Sequence, residues 1–269
     1  MSPQAGKDRI FAMRSDGRDL TRLVRDRGNQ TDPSLSLAAR SVAFTGDAEG
    51  NPDIYRVDLD GDNLRRLTSS PAQDRHPGWS PDGARLVFST TRWGQSELAV
   101  MRADGSGVRR ITFDQMGNVS PAWSPRGDRV AYVSYRGGAA EIYLVDPDSL
   151  AGYRLTFDGW PDTRPAWSPD GRFVVYSSRR STGAVMGVVS IEANGPPRFF
   201  GEDYAPVASP VFSPDGSSLL FVSRQEGREG LYRLRVEDGR PVGTATPQEI
   251  GGRVYPPFQV EWGPVPLPW

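Results

Sequence analysis

The residues able to do chemistry in this 269-residue chain are few in type and regular in spacing. Lys7 is the one lysine among 32 basic residues, so the positive charge is almost all guanidinium. Guanidinium groups pair with carboxylates in a planar, bidentate way. Three of them recur at matched places: Arg92, Arg136 and Arg180 each follow an aromatic (Phe88, Tyr132, Tyr176) by four residues. In step with them, Asp74, Asn118 and Asp162 stand five residues before the tryptophans Trp79, Trp123 and Trp167. Two chemistries suit this pattern. Converging arginines could hold a carboxylate-bearing peptide. Alternatively, the pattern is a repeated Asp–Arg brace in which each arginine fastens the neighbouring loop, repeated for the unit's sake. The repetition favours the brace.

His76 is the single histidine, and there is no cysteine. Thiol nucleophiles, disulfides and zinc–thiolate sites are therefore excluded, and so is most His-based catalysis. His76 and Arg164 stand three residues before their tryptophans, where other units carry Asp32, Ser120, Ser209 and Gln259. That set is expected to ring a channel. A hydrogen-bonded structural histidine is the plainer expectation for His76 alone. The segment from Asp58 to Asn63 superficially resembles a calcium loop but lacks the distal bidentate glutamate. No nucleophile elbow or phosphate-binding loop is present. No metal or cofactor is expected, and no pair of acids stands out for catalysis.

Other residues break the pattern. Trp93, Met116, Tyr135, Trp160, Tyr204 and Tyr255 fall where sister units carry small or polar side chains. Aromatics beside arginine are favoured at protein interfaces. Each could equally cover the edge of its own unit.

The elements that must position these residues follow from the period. Trp79-Ser-Pro-Asp-Gly, Trp123-Ser-Pro-Arg-Gly, Trp167-Ser-Pro-Asp-Gly and Phe212-Ser-Pro-Asp-Gly recur at steps of 44, 44 and 45 residues. Leu35 and Trp262 supply decayed anchors on either side. After each anchor come an alternating run (Leu86-Val-Phe-Ser), a Gly-bearing turn, a second run (Glu97-Leu-Ala-Val-Met), an Asp-Gly turn and a third run ending near Leu-Thr or Ile-Thr. Short runs of period two separated by Gly, Asp and Pro are strands joined as hairpins. Four strands per unit at this period predict an all-β, six-bladed propeller of four-stranded blades. The anchors belong to the first strand and are expected to be core, not a binding ladder.

The ends are complementary. Ile10-Phe-Ala-Met13 and Thr21-Arg-Leu-Val24 match third and fourth strands, whereas the segment around Trp262 matches a first strand. One domain spanning 1–269 is expected, with 1–25 and 254–269 forming one composite closing blade that protects the edges.

The Trp-Ser-Pro-Asp-Gly repeat, with its following Ser-x-x-Arg, Ile-Tyr, Asp-Gly and Leu-Thr signals, resembles the TolB-like six-bladed propeller repeat over essentially the whole chain. The resemblance implies a scaffold that binds a protein or peptide, and a periplasmic or otherwise extracytoplasmic setting. Related propellers also serve as lids on peptidases and as sensor modules in longer chains.

The formal net charge of −1 offers nothing to nucleic acid or anionic membrane. No apolar run approaches the ~18 residues that span a bilayer. The first seven residues lack the apolar stretch of a signal peptide, so a cytoplasmic chain is an alternative. The leading expectation is a monomeric, non-enzymatic scaffold binding a partner through the irregular loops at its channel mouth. Its candidate residues are Trp160, Tyr204, His76, Arg164, Trp93, Tyr135, Arg92, Arg136, Arg180, Asp74, Asn118 and Asp162. The competitors are a small-ligand or calcium-dependent propeller enzyme, lactonase- or lyase-like, and a sensor or lid module.

Overall fold

Alternating runs bounded by tight turns can bury one face only by pairing with their sequence neighbours, and the chain does so throughout. A computed structural model describes residues 8–14, 18–192, 195–202, 206–225 and 228–248. A short hairpin, β1 (Phe11–Ala12) and β2 (Thr21–Arg22), is followed by five antiparallel four-stranded sheets. Blade one is β3 (Gln30–Ser36), β4 (Ser41–Gly46), β5 (Asp53–Asp58) and β6 (Arg65–Arg66). Blade two is β7 (Asp74–Trp79), β8 (Arg85–Thr90), β9 (Glu97–Arg102) and β10 (Arg109–Arg110). Blade three is β11 (Asn118–Trp123), β12 (Val130–Ser134), β13 (Glu141–Val145) and β14 (Gly152–Arg154). Blade four is β15 (Asp162–Trp167), β16 (Phe173–Arg180), β17 (Gly183–Ser190) and β18 (Arg198–Phe200). Blade five is β19 (Val207–Phe212), β20 (Ser218–Gln225), β21 (Arg228–Glu237) and β22 (Arg240–Gln248).

The expectation of six four-stranded blades is corrected here: among the described residues there are five, and the sixth unit is the two-stranded hairpin β1–β2. The segment around Trp262, expected to complete that unit, lies outside the described residues. The hairpin pairs with itself and touches both ends of the series. Ile10, Leu23 and Val24 share a core with Val42, Phe44, Tyr55 and Val57 of blade one. Met13 packs on Leu220 and Leu231 of blade five.

The anchors are core, as their spacing implied. Trp79, Trp123 and Phe212 are buried, and Trp79 packs between Ala43 and Ile54 of blade one and Leu86 and Phe88 of its own blade. Each core cluster of this kind joins two neighbouring sheets, so the apolar face of one blade is covered by the next. The Ser-Pro-Asp-Gly turns are closed by their own side chains. The Ser80 hydroxyl donates to Asp82, which also accepts the Ala84 amide, and Gly83 takes a positive φ of 70°. A Cβ at Gly83 would lie 2.7 Å from the Ala39 amide of blade one, so glycine lets the turn seat against its neighbour.

One feature recurs that period-two reading does not predict. Asp32, His76, Ser120, Arg164 and Ser209 all adopt left-handed backbone with φ of 50–54°. Each sits at a β-bulge in the first strand, where the pairing slips, and each precedes a proline. The first strand is the sheet edge, the place where proline's missing N–H is tolerated. The bulge then re-aims one side chain per blade.

Candidate functional site

In a four-stranded antiparallel blade, the start of the first strand and the loop joining the second and third strands share one end. All the candidate residues that the structure describes belong to that end or to the first strands beside it. The buried polar groups there form a repeated network at each junction between blades. Between blades two and three, Glu97 is fully buried at the start of β9. It accepts from Arg110 Nη2 at 2.8 Å, the Gln115 amide at 2.6 Å, Asn118 Nδ2 at 2.9 Å and the Thr112 hydroxyl. Asn118 Nδ2 also donates to Asp114 at 2.7 Å, and Arg136 faces Asp114 at 3.8 Å.

Between blades one and two, Asp53 takes the glutamate's place. It accepts from Arg66 at 2.6 Å and from the Thr68 hydroxyl at 3.0 Å. Burial raises its carboxyl above the ordinary range, and the bonds from Arg66 and Thr68 oppose that. Asp74 pairs with Arg92 at 2.7 Å. Between blades three and four, Arg154 pairs with Glu141, and Arg180 pairs with Asp158. Between blades four and five the network is gone. The register places Val185 where Glu141 stood and Phe199 where Arg154 stood, and Val207 replaces the acid or amide that opens the first strand.

The three matched arginines are thus each tied to an acid, with side chains 17–35% accessible. The geometry is that of a brace. Asp74 and Asn118 are braced within it, and Asp162 is fully buried, with neither carboxylate oxygen hydrogen-bonded. Burial, the largest influence, pushes the Asp162 carboxyl up to about 7.

Arginines also stack on aromatics along this face. Arg110 lies over Trp93 at 5.2 Å and Phe113 at 4.8 Å. Arg136 lies over Tyr143 at 3.8 Å, and Arg154 lies over Phe157 at 4.9 Å. Arg180 lies over Phe199 at 3.6 Å and Trp160 at 5.8 Å. Trp93 is partly covered and packed on the core of blade two. Phe113, Met116, Tyr135, Phe157 and Trp160 are exposed, by 40–68%. Phe113 and Phe157 were not expected. Their signal is the Thr-Phe-Asp tripeptide at 112–114 and 156–158, where the first unit has Thr68-Ser-Ser.

The bulged residues lie beside one another, as a ring on the innermost strands should. His76 Nδ1 is hydrogen-bonded with the Ser89 hydroxyl at 3.0 Å, that hydroxyl itself donating to the Arg75 carbonyl, and His76 Nε2 stands 3.9 Å from Asp32. Burial lowers its proton affinity; Asp32 opposes this, and Arg164 and Arg75 reinforce it. The ring is therefore neutral at physiological pH and structurally held, while Arg164 is exposed. Tyr204, Tyr255 and Gln259 lie outside the described residues. Among those described, no group of three or more His, Asp or Glu side chains is placed to hold a metal ion, and no helix is long and apolar enough to cross a membrane.

Comparisons with known proteins bear on this geometry. The family described as PD40, TolB beta propeller domain, matches residues 51–204. The fold is similar to the crystal structure of TolB from Acinetobacter baumannii, with a TM-score of 0.74 at 25% identity. That match covers 86% of this chain but only 57% of that one, so the chain spans little over half the length of that relative. A structure assigned as TolB from Agrobacterium tumefaciens gives a TM-score of 0.72 at 23% identity, covering 84% of this chain and 83% of that one. An oligogalacturonate lyase in complex with manganese shares the fold at 17% identity, with a TM-score of 0.63 and coverage of 87% and 69%. No curated protein sequence matches.

Proposed function

This chain belongs to the TolB beta propeller domain family, and on that premise we propose that it is a non-enzymatic scaffold holding a protein or peptide on its loop-rich face. One observation carries the reading. Phe113, Met116, Tyr135, Phe157 and Trp160 leave a belt of exposed apolar surface across two adjacent junctions. The arginines beneath Phe113, Phe157 and Trp160 are already ion-paired. Such aromatics are rigid, already oriented, and cost little conformational entropy on docking. His76 and Arg164, on the first strands of blades two and four, are further candidates for contact with the bound chain. The family resemblance supports an extracytoplasmic setting, and the scaffold acts as a monomer.

The test is a quantitative pull-down with the intact chain. Trp160→Ala should weaken partner binding at least roughly tenfold, the scale of an interface hot spot. Trp160 is 40% exposed, so folding should barely change. Asp82→Asn, in a turn at the opposite end of the blade, should leave binding intact. Binding kept by Trp160→Ala and lost by Asp82→Asn would place the partner on the other face.

The ring itself is closed by a sixth blade made of 1–25 and 254–269. The packing of Met13 on blade five and of Ile10 on blade one supports this. Deleting 254–269 should then lower the melting temperature, and a synthetic 254–269 peptide should restore it. Full stability in the truncated chain would refute the composite blade.

A further inference from the structure

Several buried side-chain polar atoms among the described residues close no hydrogen bond, and six of them gather at the junction of blades three and four. They are Glu141 Oε2, both carboxylate oxygens of Asp162, the hydroxyls of Tyr176 and Ser178, and Arg180 Nε. Charge explains the gathering. The junction of blades one and two sets Asp53 and Asp74 against Arg66 and Arg92. The junction of blades two and three sets Glu97 and Asp114 against Arg110 and Arg136, with the amide of Asn118 donating to both acids. The junction of blades three and four has the same two arginines, Arg154 and Arg180, but three acids: Glu141, Asp158 and Asp162. Asp162 stands where Asn118 stands, and as a carboxylate it has nothing to donate.

We propose that this junction binds one proton at Asp162, and that the proton decides which acid holds Arg180. Both arrangements of the arginine already exist in this chain. Beside the neutral Asn118, Arg136 turns to the loop acid Asp114. Beside the first-strand acid Asp74, where Ser70 stands in the loop acid's place, Arg92 pairs with that first-strand acid. With Asp162 protonated, Arg180 pairs with Asp158 and stacks on Phe199 and Trp160, as the structure shows. With the proton lost, Asp162 becomes the equivalent of Asp74. The guanidinium then crosses to it, and Asp158 and Trp160 lose their support.

The groups around Asp162 set the direction. Thr156 and Asp158 come from the loop after β14, and Tyr176, Ser178 and Arg180 from β16. Burial raises the Asp162 carboxyl most and Asp158 adds to this; the nearby Ser178 and Thr156 hydroxyls, which oppose it without closing a hydrogen bond of normal geometry, and Arg180 leave it at about 7. Burial also holds the Tyr176 hydroxyl above its usual range, so that ring stays neutral throughout. Below neutral pH the Trp160 loop is held; above it, the loop is released. The inference rests on the docking reading only in giving Trp160 a role, and its test needs no partner.

The test is NMR of the intact chain from pH 5 to 9, following the Asp162 side-chain carboxyl and the Trp160 indole N–H. Asp162→Asn and Trp160→Phe identify the two signals. Both should move together with a midpoint near 7, and in Asp162→Asn the indole should stay at its low-pH position. Stability gives a second readout. Between about pH 4, where the unfolded carboxyl ionises, and about 7, only the folded state keeps the proton. Wild-type stability should therefore fall with rising pH through that window, and the fall should vanish in Asp162→Asn. Asp158→Asn removes a neighbouring charge and frees Arg180, so the Asp162 midpoint should drop by at least about one pH unit. An Asp162 carboxyl titrating near 4, an indole signal that ignores it, or an unmoved midpoint in Asp158→Asn would each overturn the proposal.

Discussion

Glu97→Ala is expected to cost about 3–5 kcal/mol of folding stability, the scale for removing one partner of a buried ion pair. Glu97 is fully buried and accepts four hydrogen bonds at once, from Arg110, Thr112, the Gln115 amide and Asn118. Alanine leaves all four donors facing a hole. Arg110, whose side chain is only 16% accessible, is left without its counterion. Glu97→Gln should fall between the two, since it keeps an acceptor but supplies no charge. Urea denaturation at pH 7 measures this. A double-mutant cycle with Arg110→Ala separates the pair from the rest, because Arg110→Ala alone strands the buried carboxylate. A loss below about 1 kcal/mol for Glu97→Ala would mean that the network is not what holds blades two and three together.

Val207→Asp is the complementary experiment and should cost about 3 kcal/mol or more at pH 8. Val207 is 1% exposed and occupies the position that Asp74, Asn118 and Asp162 hold in other blades. Only the repeat would suggest that aspartate is welcome there. Its core partners Met186, Val188 and Phe221 are apolar, and Val185 and Phe199 stand at the register positions of the network's acid and arginine. An ionised carboxylate would be buried without a partner. Burial must raise its folded pKa above the unfolded value near 3.9, so the penalty grows as pH rises from about 4. Denaturation at pH 5 and at pH 8 should show the larger loss at pH 8. Equal losses at both would point to shape rather than charge. Together the two variants test whether each junction is polar or apolar as a unit.

The repeat made much of this legible before any coordinates. Trp79, Trp123, Trp167 and Phe212 recur in one register because each fills the same space between two sheets. The Ser-Pro-x-Gly turns recur because the turn needs a left-handed glycine and the serine that opens it, with an aspartate adding a further closure in three of the four. The arginine brace was legible as a matched spacing. The acids that Arg136 and Arg180 chose were not, since Asp114 and Asp158 lie in the loop and not at the predicted first-strand positions. Glu97 was read only as the first letter of a strand, although Asp53, Glu97 and Glu141 recur at 44-residue steps in phase with Arg66, Arg110 and Arg154. The bulges at Asp32, His76, Ser120, Arg164 and Ser209 escaped because period-two reading assumes an unbroken ladder. The proline after each of them was the available signal.

Residue order alone determined what each unit is: four short strands, a buried anchor, a closed turn and a brace. All of these are satisfied within some 44 residues or against an identical neighbour, so local spacing suffices to specify them. Tertiary structure decided whatever depends on how one unit meets a different one. It set which aromatics stay uncovered, burying Trp93 partly while leaving Phe157 68% exposed. It also set the charge balance at each junction, where one carboxylate in place of an amide leaves Asp162 buried without a partner. Burial and charge are sums over neighbours from two blades, and no single repeat contains both halves of that sum.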